Sequence, residues 1–240
     1  METIKFELSG AEATFKKPYI NNMNLTYSHI HKIALLGMLG AILGLEGHEQ
    51  EEKEDIYPEF YEKLKGLKVS ILPHTPFIPK TIKDVTDTNG FSNKGETFVT
   101  REQALVNPKW TIYVQKGETN DILYGKLKEM LLKEWAKYSP YLGRNHYQAT
   151  RENAEIINLK AIDLEDVNKI DSLIKEKDFE FVEDFSLEEN VFETGEYYPT
   201  KYRPYVNYYI EEKMYLTNKV IEVKEGNSIY VDKNRYLYFF

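Results

Sequence analysis

His31-Lys32-Ile33-Ala34-Leu35-Leu36-Gly37-Met38-Leu39-Gly40-Ala41-Ile42-Leu43-Gly44 is the stretch from which the rest of the chain can be read. After Lys32 it carries no charge and is apolar on every side, the pattern of a helix buried among other elements, here over about 31–45. The run Ile33–Leu45, 13 residues, is too short to cross a bilayer. Ser28 is placed to cap this helix. Gly37, Gly40 and Gly44 fall at i, i+3 and i+7 and make a small-residue face. Each glycine costs a helix interior roughly 1 kcal/mol against alanine. Three of them predict close packing of the helix backbone on a sheet.

Outward from the helix, Ile4, Phe6 and Leu8 alternate with Lys5, Glu7 and Ser9, a half-buried strand that Gly10 ends. Thr14–Lys32 contains Lys16, Lys17 and Lys32, no acid, and the breakers Pro18 and Asn21-Asn22, so it reads as a loop. Pro58, with Tyr57, Phe60, Tyr61 and Leu64, predicts a short helix. Leu67, Val69 and Ile71 predict a second strand ended by Pro73, and Trp110, Ile112 and Val114 a third. Between them, 74–108 is too long for an ordinary connection and reads as a hairpin-like excursion. Asp121 to Lys137 predicts an amphipathic helix with Leu123, Leu127, Met130, Leu131 and Trp135 inward, ended by Pro140 and Gly143. The order β-α-β-β-α-β over 1–150 predicts a ferredoxin-like, RRM-like domain in an α+β chain, whose sheet is a common RNA-binding platform. From about 151 to 240 the expectation is a small antiparallel β subdomain. It comprises a short helix over Asp163–Lys177, a strand over Phe179–Phe185, and Tyr-rich strands split by turns at Glu225-Gly226-Asn227 and Asp232-Lys233-Asn234.

The chain has 240 residues, with 31 Lys plus Arg against 39 Asp plus Glu, a formal net charge of -8. That average hides a division. Residues 1–150 hold 19 bases and 19 acids, so the surplus lies in the last 90 residues. Within 1–150, Glu46, Glu49, Glu51, Glu52, Glu54 and Asp55 form an acidic knot against Lys53, whose spacing fits no metal-ligand motif. The acid-free stretches 14–32 and 63–83 are where phosphates are expected, with 46–55 and 151–240 facing away. The absence of cysteine excludes a disulfide scaffold, a thiol nucleophile and a thiolate metal site. Five scattered histidines argue against an all-His zinc cluster. Met1-Glu2-Thr3-Ile4-Lys5 is not the start of a signal peptide, so a cytoplasmic protein without metal or cofactor is expected. Of the 19 tyrosines, 10 lie in 197–240, and their alternation in strands reads as core or subunit interface.

Three ordered motifs then carry a resemblance. They are Phe15-Lys16-Lys17-Pro18-Tyr19 with Leu25-Thr26-Tyr27 and the helix above, Leu105 through Val114, and Tyr138-Ser139-Pro140-Tyr141-Leu142-Gly143-Arg144. Together they resemble the CRISPR-associated subunit that binds the crRNA 5′ handle in type I Cascade, the fifth Cas family of the RAMP superfamily. The type I-B branch is the nearest. The resemblance covers 1–150, while the Tyr-rich C-terminal part is similar only loosely. It implies a β-hairpin thumb within about 74–108, a grip on the handle, and a position capping one end of the backbone subunits. It also implies docking beside the large subunit, with target DNA reached through the assembled complex.

Single-stranded RNA needs cations for phosphate, polar donors, and aromatic rings for stacking. Candidates in 14–32 are Lys16, Lys17, Tyr19, Asn21, Asn22, Thr26, Tyr27, His29, His31 and Lys32. Lys80, Lys83, Lys94 and Arg101 lie on the expected thumb, and Arg144, Asn145 and His146 follow Gly143 at the place of the RAMP glycine-rich turn. One branch of the family, type I-C, cleaves repeat RNA without metal through Tyr, Lys and His. Tyr27, His29, His31 and Lys32 are those residue types. The surrounding pattern matches the non-cleaving branches, so no catalytic residue is expected. A protein-docking scaffold that works through its acidic C-terminal part is the remaining alternative.

Overall fold

The computed structural model describes residues 1–19, 23–88, 97–182 and 190–240. Its first strand, β1 (Glu2–Ser9), is central, because Ile4, Phe6 and Leu8 alternate into the core and are fully buried. A two-residue strand, β2 (Glu12–Ala13), leads into the 14–32 segment, and α1 (Lys32–Leu43) follows. Then come α2 (Glu59–Leu64), β3 (Lys68–Pro73), β4 (Lys80–Thr88), β5 (Thr97–Val106), β6 (Lys109–Gln115), α3 (Asp121–Leu132) and β7 (Thr150–Asn158). The main sheet runs β3-β6-β1-β7, every neighbouring pair antiparallel. β1 and β3 are therefore parallel with β6 between them, and β6 and β7 are parallel with β1 between them. Each pair is joined through a helix, the split β-α-β arrangement. β4 and β5 form the long hairpin expected of 74–108, and β2 pairs with β5.

The remaining strands are β8 (Lys160–Ile162), β9 (Ile174–Lys175), β10 (Phe179–Phe181), β11 (Glu193–Tyr202), β12 (Tyr209–Thr217), β13 (Ile221–Val223), β14 (Ile229–Asp232) and β15 (Arg235–Tyr238). They form three small sheets, β10-β13, β11-β12-β9 and β15-β14-β8. Two of their contacts shape the main sheet. Phe240 exchanges both backbone hydrogen bonds with Val69, and Leu173 N–H donates to Ile71, so the open edge of β3 is closed. On the face away from the helices, Leu72 and Tyr113 pack with Leu237, while the Tyr113 hydroxyl donates to Asp232 at 2.9 Å. The sheet face expected as an RNA platform is thus covered there by the chain's own C-terminal strands.

Several sequence expectations change. α1 is capped by His31, whose Nδ1 accepts the Ala34 N–H at 3.2 Å, and not by Ser28. Its glycine face meets a helix rather than a sheet. A Cβ on Gly40 would lie 2.6 Å from the Cβ of Phe60 in α2, while Gly44 is the left-handed cap beyond the helix. α3 stops at Leu132, because Glu134 takes a positive φ, and Trp135 is exposed. No helix spans 163–177. Val167, Ile170, Leu173 and Ile174 are all buried, a spacing that serves an irregular segment lying across the small sheets. Strand β10 ends at Phe181, and 183–185 of the expected strand lie outside the described residues. β7, the fourth strand of the main sheet, runs across the expected boundary at 150/151.

Gly143 ties the turn after α3 to the arm before α1. Its φ is 89°, and a Cβ there would stand 1.5 Å from the Thr14 carbonyl oxygen, while Thr14 N–H donates to Leu142 at 3.0 Å. Gly226 has nearly the same φ, 87°, with open space around it. The pair separates strain from contact. Gly143→Ala is expected to destabilise the chain by about 2–4 kcal/mol and Gly226→Ala by only about 1 kcal/mol, measured by urea denaturation.

Candidate nucleic-acid interface

The acid-free segment is an arm with regular pairing at its base. Lys16 bridges Thr26, Lys17 N–H donates to Leu25 at 2.8 Å and Tyr27 N–H to Phe15 at 3.0 Å. Asn24 exchanges backbone bonds with Arg101 and Gln103, which sews the arm to the β4–β5 hairpin. Thr26 is buried, and its hydroxyl accepts the Phe15 N–H and donates to the Tyr27 carbonyl. It therefore holds the arm together and is not free for a ligand. Asn21, Asn22 and Lys94 lie outside the described residues.

The C-terminal hairpin closes over this arm. Lys17 forms an ion pair with Glu196 of β11, and the Ser28 N–H donates to the same carboxylate at 2.8 Å. Burial pushes the Glu196 carboxyl up, but Lys17 and Ser28 outweigh it and hold it below the usual range. Tyr27 and Tyr19 both donate to Glu211 of β12. Burial, reinforced by that bond, raises the Tyr27 hydroxyl far above an ordinary tyrosine. The acids of 151–240 thus do not all face away from the arm: two of them are its direct partners. The cause is electrostatic complementarity, since a lysine drawn into a half-buried site needs a counter-charge.

Two clefts flank the arm. One, of about 700 Å³, is lined by Lys17, Tyr19, Tyr27, His29, Lys80 and Tyr197, among others. The second, of about 880 Å³, lies between the α1 face, Gly44–Gln50, the Gly143 turn and the stacked pair Tyr202–Tyr209. Lys16 and His31 line it, with Tyr138 and Tyr141 at its exposed rim. Glu46 and Glu49 of the acidic knot line it too, so that knot also borders the site rather than facing away.

Of the seven described candidate cations, most are committed within the chain. Lys83 pairs with Glu12, Arg101 with Asp84, and Arg144 with the fully buried Glu102, its Nε donating at 2.6 Å. Lys80 donates to Ser28 Oγ and the Thr26 carbonyl. Lys32 donates to the Phe240 carbonyl at 2.9 Å, and burial together with Lys175 and Lys201 brings its ammonium down to about 8. Lys16 is exposed and makes no ion pair or side-chain hydrogen bond among the described residues. The second acid-free stretch is less free than its boundaries suggest, because Lys63 and Lys65 pair with Glu59 and Glu62 just upstream. Tyr19, Asn145 and His146 are exposed.

Of the four residues of the cleavage alternative two meet, the Tyr27 and His31 rings standing edge to face with centroids 5.2 Å apart. Tyr27 and His29 border the first cleft, His31 borders the second, and Lys32 holds the C-terminal strand. His29 is buried, with Nδ1 accepting the Trp110 N–H at 3.4 Å. Burial lowers His29 to about 4 and His31 to about 3, so both are neutral near pH 7. Glu196, Glu211, Tyr202, Tyr209 and Glu102 were missed by sequence reasoning. Only Glu102 had a usable signal, since strand alternation puts it on the buried face with Ala104.

The histidines make acid sensitivity predictable. Their folded values lie below the unfolded 6.5, so unfolding takes up protons as pH falls below about 6.5. Stability is complete above that pH and drops toward pH 4.5 at up to about 1.4 kcal/mol per pH unit for each histidine. Denaturation curves at pH 7, 6 and 5 check this. His31→Asn, which keeps a capping side chain, is expected to show about half the slope.

An antiparallel, mixed α/β chain with a long hairpin and an arm locked to a glycine turn defines the class. A family model described as CRISPR-associated protein (Cas_Cas5) matches residues 3–214, and the chain belongs to that family. Among solved structures, a chain titled "CRISPR RNA-guided surveillance complex" is 15% identical, with 91% of each chain covered and a TM-score of 0.55. A CRISPR protein from Archaeoglobus fulgidus is 10% identical, with 99% of this chain and 98% of that one covered and a TM-score of 0.54. At these identities the likeness is one of fold. No curated protein matches the sequence.

Proposed function

We propose that this chain is the non-catalytic crRNA 5′-handle-binding subunit of a type I, I-B-like Cascade acting in antiviral defence. Its main domain is read as ferredoxin-like with the β4–β5 hairpin as thumb, supported by the strand order β3-β6-β1-β7. The observation that carries the proposal is the joining of family membership to one local construction. The arm 14–32 is sewn to the hairpin and locked against the Gly143 turn, and it leaves Lys16 and Tyr19 exposed. A cation and a ring on a pre-shaped arm suit a single-stranded RNA end. One fold neighbour comes from a CRISPR RNA-guided surveillance complex, which agrees with this reading.

Backbone subunits and the large subunit are the proposed protein partners, with target DNA met through the complex, in the cytoplasm. Among the described residues no helix is long and apolar enough to cross a membrane. The non-catalytic reading is supported by the internal hydrogen bonds that occupy all four residues: Tyr27 donates to Glu211, His29 accepts from Trp110, His31 caps α1 and Lys32 donates to Phe240.

The test is binding to RNA that begins with the repeat-derived handle, against the same RNA with the handle scrambled. Preference for the handle is expected, and equal affinity overturns the proposal. Lys16→Ala is expected to weaken binding 3- to 10-fold, on the order of one phosphate contact, and to reduce the salt slope by about 0.7. Tyr19→Ala is expected to cost about 1–3 kcal/mol if a base stacks there. Labelled repeat RNA incubated with excess protein in EDTA is expected to stay intact, and a discrete product refutes the non-catalytic part.

A further inference from the structure

The turn between β11 and β12, Arg203-Pro204-Tyr205-Val206-Asn207-Tyr208, is built in a costly way. Tyr205 has φ 64° and Asn207 φ 51°, two non-glycine residues in the left-handed region within three positions. For a bulky tyrosine this backbone state costs on the order of 1–2 kcal/mol. The turn is nevertheless held firmly. Arg203 N–H donates to Tyr208 at 2.8 Å, and Tyr205 N–H donates to the Ile56 carbonyl at 2.9 Å. The Asn207 amide donates to both carboxylate oxygens of Glu51, at 2.8 and 2.7 Å.

The side chains so displayed do not serve the core. Tyr205 is 67% exposed, Tyr208 70%, Val206 53%, and the neighbouring Ile56 46%. Four exposed apolar side chains on a strained, anchored turn mark an interaction surface. Its charge decides the kind of partner. The segment that anchors the turn is the acidic knot, and Glu52, Glu54 and Asp55 are exposed beside Ile56, against Lys53 and Arg203. An excess of carboxylates repels a phosphate backbone. Carboxylates beside tyrosine rings suit lysine and arginine, through ion pairs and cation–π contacts.

We infer that the Ile56–Tyr205–Tyr208 knuckle and its acidic rim dock a basic segment of a neighbouring protein subunit. This rests on the proposed membership of a multi-subunit complex. The knuckle lies next to the second cleft, but none of Glu51–Ile56 or Arg203–Tyr208 lines either cleft beside the arm, so protein and RNA would take adjoining surfaces. Its occupant is a protein because RNA phosphate is disfavoured by the rim.

Co-expression of the full chain with guide RNA and the subunits encoded in the same CRISPR locus tests it. Two variants are used: Tyr205→Asn with Tyr208→Ser, where asparagine tolerates the left-handed backbone, and Glu52→Lys with Glu54→Lys, both at exposed positions. Each pair is expected to weaken retention of one protein subunit at least tenfold, with handle-RNA affinity and thermal midpoint unchanged. The charge pair is expected to lose most of its effect at high salt. Unchanged retention of every subunit in both variants overturns the inference, as does a loss of RNA affinity with subunits retained. If the unaltered chain retains RNA but no subunit, the docking inference fails while handle binding stands. If it retains neither, the proposed function fails first.

Discussion

The carboxylate of Glu196 holds the 14–32 arm and the C-terminal hairpin in register. It accepts from Lys17 and from the Ser28 backbone, so one acid on β11 ties both of the arm's paired limbs to the C-terminal hairpin. Without a counter-charge Lys17 would have no reason to turn inward. Without Ser28 N–H the start of α1 would lack its tether to the C-terminal hairpin. The neighbouring bonds from Tyr19 and Tyr27 to Glu211 extend the contact along β12. A partly buried ion pair of this kind specifies position more than it adds stability, because desolvation offsets much of the attraction.

That contact changes the meaning of the net charge. The acids are segregated in sequence but not in space. Part of the C-terminal surplus is spent neutralising the arm, and the acidic knot anchors a separate apolar turn through Glu51. What remains for a polyanion is a small set of exposed groups, Lys16 foremost, rather than a broad basic field. Specific recognition by few contacts on a shaped arm is consistent with this, and diffuse nucleic-acid binding is not.

The covering of the main sheet has the same origin. A four-stranded antiparallel sheet with helices on one face leaves its other face in want of cover. Here Leu237, Tyr230 and Asp232 supply it, and Phe240 closes the β3 edge. Of the tyrosines of the C-terminal strands Tyr230 joins this cover, Tyr198 packs on Tyr27, Tyr202 on Phe60 and Tyr61, and Tyr238 on Phe240, while Tyr205 and Tyr208 are kept outside.

Much of the fold was legible in the residues alone. The alternation of Ile4, Phe6 and Leu8, the uncharged run after Lys32, and Trp110-Ile112-Val114 are local patterns with one periodic reading each. They determine β1, α1, β6 and the order of elements around them. The motifs around Phe15, Leu105 and Gly143 carried the family in the same way. The helix expected over 163–177 failed because its apolar spacing was answered by irregular packing across three small sheets, which no local period encodes. Only the tertiary structure decided that the sheet face is covered, that His29 and His31 are neutral and buried, and that Glu196 and Glu211 meet the arm. Burial and charge pairing depend on residues about 170–190 positions apart in the chain, and a carboxylate's partner is set by where the strands cross, not by its neighbours in sequence.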